Sequence, residues 1–552
     1  MSLAAVAVSS AAGLLALALV LRSMARAYCR LVAGGMLLAK WILLCLLLPA
    51  ALLRGWRKPR RVPAARSPLL LLSGTALAEM IRTKQVTSEE VVQAFAARVA
   101  EVQPVLNAVV EERFSAALEE ARSADRLVQS GQLSPAELAR RLPLLGVPVT
   151  VKESIAVRGM SNGAGQVREA GQKAAEDAEA VRLLREAGAV PLLVSNTPEL
   201  CMNLETFNNV TGRTSNPHDS RRTPGGSSGG EAALLSCAAS VLSIASDIGG
   251  SIRIPAAFTG VFGHKPTPGL ISISGHNPTS TDRMWSKMFT IGPMTRYAED
   301  LPLMIRILAN ENAKLLNLDE PVDFKTLKVY FVEDDAGSIV SDSFSPEIRQ
   351  ALRNVLDHFR TNYNTEIKQM HLPGLSSVVQ LTMPLIFIDG IKDAFHDESD
   401  PQKKKSVVLE LLKFIVGRSE LSSSCVLYGV LKSLVDFATP ESTKKNIAEE
   451  NAKLKEHLKE LLGTNAVLLY PTFVSSATLH GEILTRIFNA HYALAFNVLE
   501  VPATSCPVGC DRKGLPIGIQ VVAGPSQDRL CVAVAREIER AFGGWIKPPA
   551  VE

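Results

Sequence analysis

The chain has no Cys-x-x-Cys pair. Its eight cysteines (Cys29, Cys45, Cys201, Cys237, Cys425, Cys506, Cys510 and Cys531) are scattered through 552 residues, and Cys506 and Cys510 have no histidine at zinc-ligand spacing. That leaves reduced structural thiols and gives no reason to expect a metal. No Gly-x-x-x-x-Gly-Lys-[Ser/Thr] loop is present, which removes a P-loop. Internal repeats and long low-complexity linkers are also missing, so one large domain is expected rather than several. Acidic side chains are absent from residues 1–66, which hold ten basic ones; the remaining 486 residues carry 49 basic against 55 acidic. The body is mildly acidic and lacks the basic stripe that a nucleic-acid partner requires.

What the amino-terminal end does have is apolar length. Residues 2–21 are uncharged and almost wholly apolar or small, and residues 31–53 form a second stretch broken only by Lys40. A spanning helix needs about 20 apolar residues, so both qualify. The first lacks the positively charged leader of a cleaved signal peptide. Residues 1–66 are therefore expected to form a membrane anchor, single-pass or with two spans, and residues 67–552 a catalytic domain. Six basic residues between Arg54 and Arg66 outnumber the three between Arg22 and Arg30. The positive-inside rule then places the body in the cytosol and makes the Asn209-Val-Thr211 sequon fortuitous.

The body alternates helix and strand. Thr87-Ser-Glu-Glu90 reads as a capping box, with Val92, Phe95, Val99 and Val102 on one helical face. A polar helix is expected over 110–130. Strands are expected at 143–152, 189–194, 466–470 and 518–523, with helices ahead of the second and third. This rhythm predicts an α/β fold. Residues 407–435 hold two apolar, lysine-dotted segments. They fit helices lying on a lipid surface and equally fit ordinary buried helices.

The chemistry concentrates where glycine and serine do. Pro224-Gly-Gly-Ser-Ser-Gly-Gly230 and Asp247-Ile-Gly-Gly-Ser-Ile-Arg-Ile-Pro255 are two Gly-Gly-Ser turns around Ser227 and Ser251. Such turns let a partner approach the main chain closely. The N–H groups of Ile248, Gly249, Gly250 and Ser251 can then converge as an oxyanion hole. Lys152 closes an apolar strand, where burial favours the neutral amine and makes it a base. Ser227 can relay a proton between that amine and a nucleophile. Asp247 and Arg253 bracket the second turn as a structural pair. A second reading stays open: Gly225-Gly-Ser-Ser-Gly229 fits a nucleophile elbow, with Ser227 attacking, although Pro217 to Pro224 reads as loop and an elbow needs a strand before it.

Taken together these residues resemble the amidase signature family. The match runs from Gly225 through Ser246–Ala256 to Gly263-His-Lys-Pro-Thr-Pro-Gly269, with flanks at Gly146–Lys152, Gly292–Arg296, Glu299-Asp300 and Gly514–Gln520. The resemblance implies a mixed, twisted β-sheet covered by helices on both sides. It also implies Ser251 as nucleophile, Ser227 as bridge beside a cis Gly226–Ser227 peptide, Lys152 as base, and no cofactor. Within the family the chain looks most like the fatty-acid amide hydrolases. That implies cleavage of primary fatty amides and N-acylethanolamides, with a lipid amide substrate, membrane lipid as a partner and a homodimer as an open expectation. Ala245 stands where the family usually has glycine, and its methyl is expected to narrow the site. Two other functions remain: an amidase of small or polar amides, and a non-catalytic membrane scaffold with this fold.

Overall fold

The computed structural model describes residues 51–551 apart from 281, 333–340, 371–394, 396–404 and 439–440, together with a few isolated positions before residue 51. Eleven strands form the central sheet. In chain order they are β1 (Val109–Glu112), β2 (Pro148–Lys152), β3 (Val190–Ser195), β4 (Leu242–Asp247), β5 (Phe262–Lys265), β6 (Thr290–Thr295), β7 (Lys328–Phe331), β8 (Glu366–Gln369), β9 (Ala466–Pro471), β10 (Ala503–Cys510) and β11 (Pro516–Ala523). The spatial order is β8-β7-β9-β11-β10-β5-β6-β4-β2-β3-β1. β2 lies parallel to both β3 and β4, and β7 parallel to both β8 and β9, while antiparallel pairs join the rest, so the sheet is mixed. Strands β2, β3, β4 and β6 are buried along their whole length, because helices flank the sheet. This is the α/β architecture expected from the alternating pattern.

Local signals were obeyed where nothing tertiary opposed them. The helix Ser88–Leu106 starts at a full capping box in which Thr87 and Glu90 satisfy each other's backbone. The polar segment 110–130 departs from expectation at its start. Val109–Glu112 pairs antiparallel with β3 as the edge strand, and the helix begins only at Phe114. An open edge of β3 supplies hydrogen bonds that the isolated segment has no means of anticipating.

Among the described residues no helix is long and apolar enough to cross a membrane. The apolar stretch 2–21 lies outside them entirely, and of the stretch 31–53 only Gly34, Trp41, Leu44, Cys45, Leu48, Pro49 and residues 51–53 are among them. The residues just after that second stretch are docked on the body: Arg54 Nη1 donates to the His480 carbonyl at 3.3 Å, and the Gly55 carbonyl accepts from Arg221 at 2.9 Å. Residues 407–435 form two helices, Val407–Ile415 and Ser423–Ala438. The first is not an ordinary buried helix, since Val408, Leu412 and Ile415 are each more than half exposed. Asn209 of the sequon donates its side-chain amide to the Glu420 carbonyl at 2.9 Å.

Candidate active site

Parallel pairing of β2 with β4, with Val151 opposite Ile244, brings Lys152, one residue on, and Ser246, two residues on, out at the same end of the sheet. Two loops converge there. Ser227 sits just before the wholly buried helix Gly229–Ser236, and Ser251 sits in the turn between β4 and the helix Arg253–Thr259. The Gly226–Ser227 peptide is cis, as expected. The two Gly-Gly-Ser turns are tied by Ser228 N–H donating to the Ser251 carbonyl at 3.2 Å. Glycine is required at two of these positions. Gly225 has φ +92° and a Cβ there would stand 2.7 Å from Pro255 Cα; Gly250 has φ +106° and a Cβ there would stand 2.6 Å from Ala493 Cβ.

Lys152 is fully buried, and its Nζ lies 2.6 Å from Ser227 Oγ and 3.0 Å from Ser246 Oγ. Burial pushes the amine below its ordinary range, partly offset by Cys201, Asp247 and Glu231 nearby. The Cys201 thiol is raised by its own burial and drawn down, to about 5, chiefly by a positive Lys152 and by His276. Behind β2, Thr150 Oγ1 donates to Glu231, whose carboxyl burial raises to about 7.

The second turn is built around Asp247. Its carboxylate accepts from Gly250 N–H at 2.8 Å and Ile252 N–H at 3.1 Å, and pairs with Arg253 at 3.0 and 3.1 Å. Arg253 is held in turn by the Ala493 carbonyl, Gln520 and Asn497 at 2.6–2.9 Å. Burial alone would raise the Asp247 carboxyl, but the Arg253 charge and these donors hold it far below the usual carboxylate range. The expected structural pair is therefore present. It also corrects the expected set of four oxyanion donors, since the Gly250 N–H is already given to Asp247. Among the described residues Ile248, Gly249 and Ser251 have no hydrogen bond from their N–H groups.

A cavity of about 180 Å³ opens over Ser227, Ser246 and Ser251. Its walls are apolar, built from residues such as Leu200, Met202, Leu431, Leu484, Ile487 and Phe488, with Trp285 stacked on Phe289 at 4.3 Å beside them. Among the described residues no Asp, Glu, Lys or Arg lines it. Ala245 does not line it either. Its methyl is buried with Leu235, Ile252 and Met294, so it packs the layer beneath the turn rather than narrowing the site. Nor does an elbow form, because the chain reaches Ser227 from irregular loop rather than from a strand.

Sequence reasoning missed three groups. Ser246 bonds Lys152, Cys201 lines the cavity with its Sγ 3.4 Å from Thr197 Oγ1, and His276 places Nε2 3.0 Å from both Ser246 Oγ and Ser154 Oγ. Only Ser246 had a signal available, as a polar residue next to the end of a buried strand parallel to the one that ends in Lys152.

Comparison with known proteins agrees with this geometry. The family model described as Amidase matches residues 90–532. Fatty-acid amide hydrolase 2-A of Danio rerio is 41% identical over 493 residues, covering 88% of this chain and 92% of that protein. Fatty-acid amide hydrolase 2 of Homo sapiens is 39% identical over 491 residues, covering 87% and 91%. A solved structure described as fatty acid amide hydrolase superposes with a TM-score of 0.68 over 87% of each chain at 21% identity, which speaks to the fold alone. The chain is an amide-hydrolysing member of the amidase signature family.

Proposed function

We propose that this chain is a serine hydrolase of long-chain fatty-acid amides, primary amides and N-acylethanolamides alike, working from a membrane surface. The observation that carries the substrate class is the cavity: its walls are mostly apolar and, among the described residues, hold no Asp, Glu, Lys or Arg. A polar substrate such as a glutaminyl group would meet no opposite charge there and lose part of its hydration. An acyl chain gains about 25 cal/mol for each Å² of apolar surface removed from water.

Neutral Lys152 takes the proton of Ser227 as Ser227 takes that of Ser251. Ser251 Oγ bonds to the carbonyl carbon, and the new oxyanion faces the N–H groups of Ile248, Gly249 and Ser251. As the C–N bond breaks, the proton held at Lys152 returns through Ser227 to the leaving nitrogen. Water then cleaves the acyl-serine ester, releasing the acid and restoring Ser251. The 2.6 Å contact between Lys152 and Ser227 supports the first half of this relay.

Residues 1–66 serve as anchor and 67–552 as the cytosolic catalytic unit. The exposed apolar face of Val407–Ile415 supports lipid contact beside the entrance, because the neighbouring helix Ser423–Ala438 contributes Leu427, Tyr428 and Leu431 to the cavity. The test is labelling by a fluorophosphonate probe in competition with oleamide, butyramide and glutamine. Oleamide should compete best and Ser251→Ala should not label. Labelling that survives in Ser251→Ala, or competition by glutamine but not oleamide, overturns the proposal.

A further inference from the structure

His276 has no place in the Ser251–Ser227–Lys152 relay, yet it is fixed against it. The loop that carries it is pinned to the residues just after Lys152: Ile155 bridges to His276, and Asn277 N–H donates to the Ser154 carbonyl at 2.7 Å. The ring packs on Phe289 with centroids 4.5 Å apart. Its Nδ1 lies 2.7 Å from the Pro278 carbonyl oxygen. A carbonyl only accepts, so Nδ1 carries the proton, and in the neutral ring Nε2 is an acceptor. The hydroxyls of Ser246 and Ser154 both reach that nitrogen at 3.0 Å.

Ser246 stands between the ring and the amine, 3.0 Å from each. A neutral amine has two N–H bonds and one lone pair. Besides giving both N–H bonds to its two hydroxyl neighbours, with the lone pair toward neither, Lys152 can meet them in two further ways. In one, Lys152 donates to Ser246 and its lone pair receives the proton of Ser227. In the other, Ser246 donates into that lone pair and Lys152 donates to Ser227, which leaves no base facing the relay. An acceptor on the far side of Ser246 disfavours the second of these, because the hydroxyl hydrogen then points away from the amine and the lone pair stays available to Ser227. Ser154 shares the acceptor, but no hydrogen bond links it to Lys152, so it dilutes this preference without reversing it.

We propose that His276 is a positioning residue, whose Nε2 accepts from Ser246 and so keeps the Lys152 lone pair off Ser246 and available to Ser227. The inference rests on the reading of Lys152 as base. Two variants separate the two ring nitrogens. His276→Gln places a carbonyl oxygen near the Nε2 position and keeps an acceptor for Ser246 while losing the bond to Pro278. His276→Asn keeps the reach to Pro278 and loses the acceptor. For hydrolysis of oleamide by the full chain, His276→Gln should stay within about threefold of the parent kcat, and His276→Asn should fall about tenfold, the worth of one hydrogen bond, with KM changed less than about twofold in both. A side chain that only braces its loop through Pro278 predicts the reverse order. Equal kcat values for the two variants, high or low, overturn the proposal, as does a loss carried by KM alone. Lys152→Ala run alongside keeps the two readings apart. If it turns over normally, the base assignment itself fails; if it is inactive while the His276 variants match each other, only the positioning role falls.

Discussion

Replacing Arg253 with methionine separates the stability of the second turn from its alignment. Arg253 is fully buried, and the change deletes its contacts to Asp247 at 3.0 and 3.1 Å, to the Ala493 carbonyl at 2.8 Å, to Gln520 at 2.9 Å and to Asn497 at 2.6 Å. Methionine refills much of the volume, so the loss is chiefly electrostatic. Removing one partner of a buried ion pair costs about 3–5 kcal/mol, because the other charge is left uncompensated. With an unfolding entropy of about 2.1 cal/mol/K per residue, a body of roughly 490 residues then melts only about 3–5 °C lower. The effect on rate is larger. Stripped of its counter-charge, the buried Asp247 carboxyl gains a proton, and one oxygen becomes a hydroxyl that no longer accepts. Either Gly250 or Ile252, now bonded at 2.8 and 3.1 Å, loses its anchor, and the neighbouring N–H groups shift. Misplacing one oxyanion donor costs about 10²–10³ in rate.

The expected result is a small melting shift in differential scanning fluorimetry beside a fluorophosphonate labelling rate lower by about a hundredfold or more. In the parent the Asp247 value is depressed, so its contribution to stability is complete above the unfolded carboxylate value of about 3.9 and is lost only as pH falls through the folded value. The turn of the parent should then be insensitive to pH across the neutral range. A variant that melts lower by the expected few degrees yet labels at the parent rate refutes the reasoning, since the pair would then brace the core without aligning the turn.

Three further outcomes are expected from the same geometry. Ala245→Gly should leave kcat/KM within about twofold and lower stability by about 1–2 kcal/mol through a lost buried methyl and a freer unfolded chain; a clear gain in rate would return the methyl to the site. Leu431→Trp should cut kcat/KM for an oleoyl amide about tenfold or more while sparing a butyryl amide, as expected when about 1–3 kcal/mol of overpacking falls on the acyl wall; equal losses on both would place Leu431 away from the chain. Glu231 has a carboxyl that burial raises to about 7, above an unfolded value of about 4.3, so its contribution is present below the unfolded value and is lost as pH rises through the folded one. Glu231→Gln imitates the neutral form and should flatten the fall in melting temperature between pH 5 and 7.5, and an unchanged slope would reject the assignment.

Much of the site was readable in advance because it is local. The two Gly-Gly-Ser turns, the lysine closing an apolar strand and the Asp247–Arg253 pair each declare themselves within a few residues. Gly250 shows the limit of such reading. Its identity pointed to a bare backbone donor, but only the fold shows that the Asp247 side chain has already taken that N–H. His276 shows it more sharply, lying 49 residues beyond Ser227 with no motif joining them. Ala245 was noticed for the right reason and given the wrong neighbour, because the two faces of a fully buried strand look alike in sequence.

The amino-acid order by itself determined the family, the α/β rhythm and which backbone turns can expose their amides, since glycine placement, strand composition and helix caps act over a turn or two of chain. The tertiary structure decided which hydroxyls surround the Lys152 amine, which donors stay free, where the apolar cavity opens and which side of the Val407–Ile415 helix meets its surroundings. Those facts depend on pairing β2 beside β4 and on loops distant in sequence meeting at one end of the sheet, and a residue's burial and hydrogen-bond partners exist only once that pairing is made.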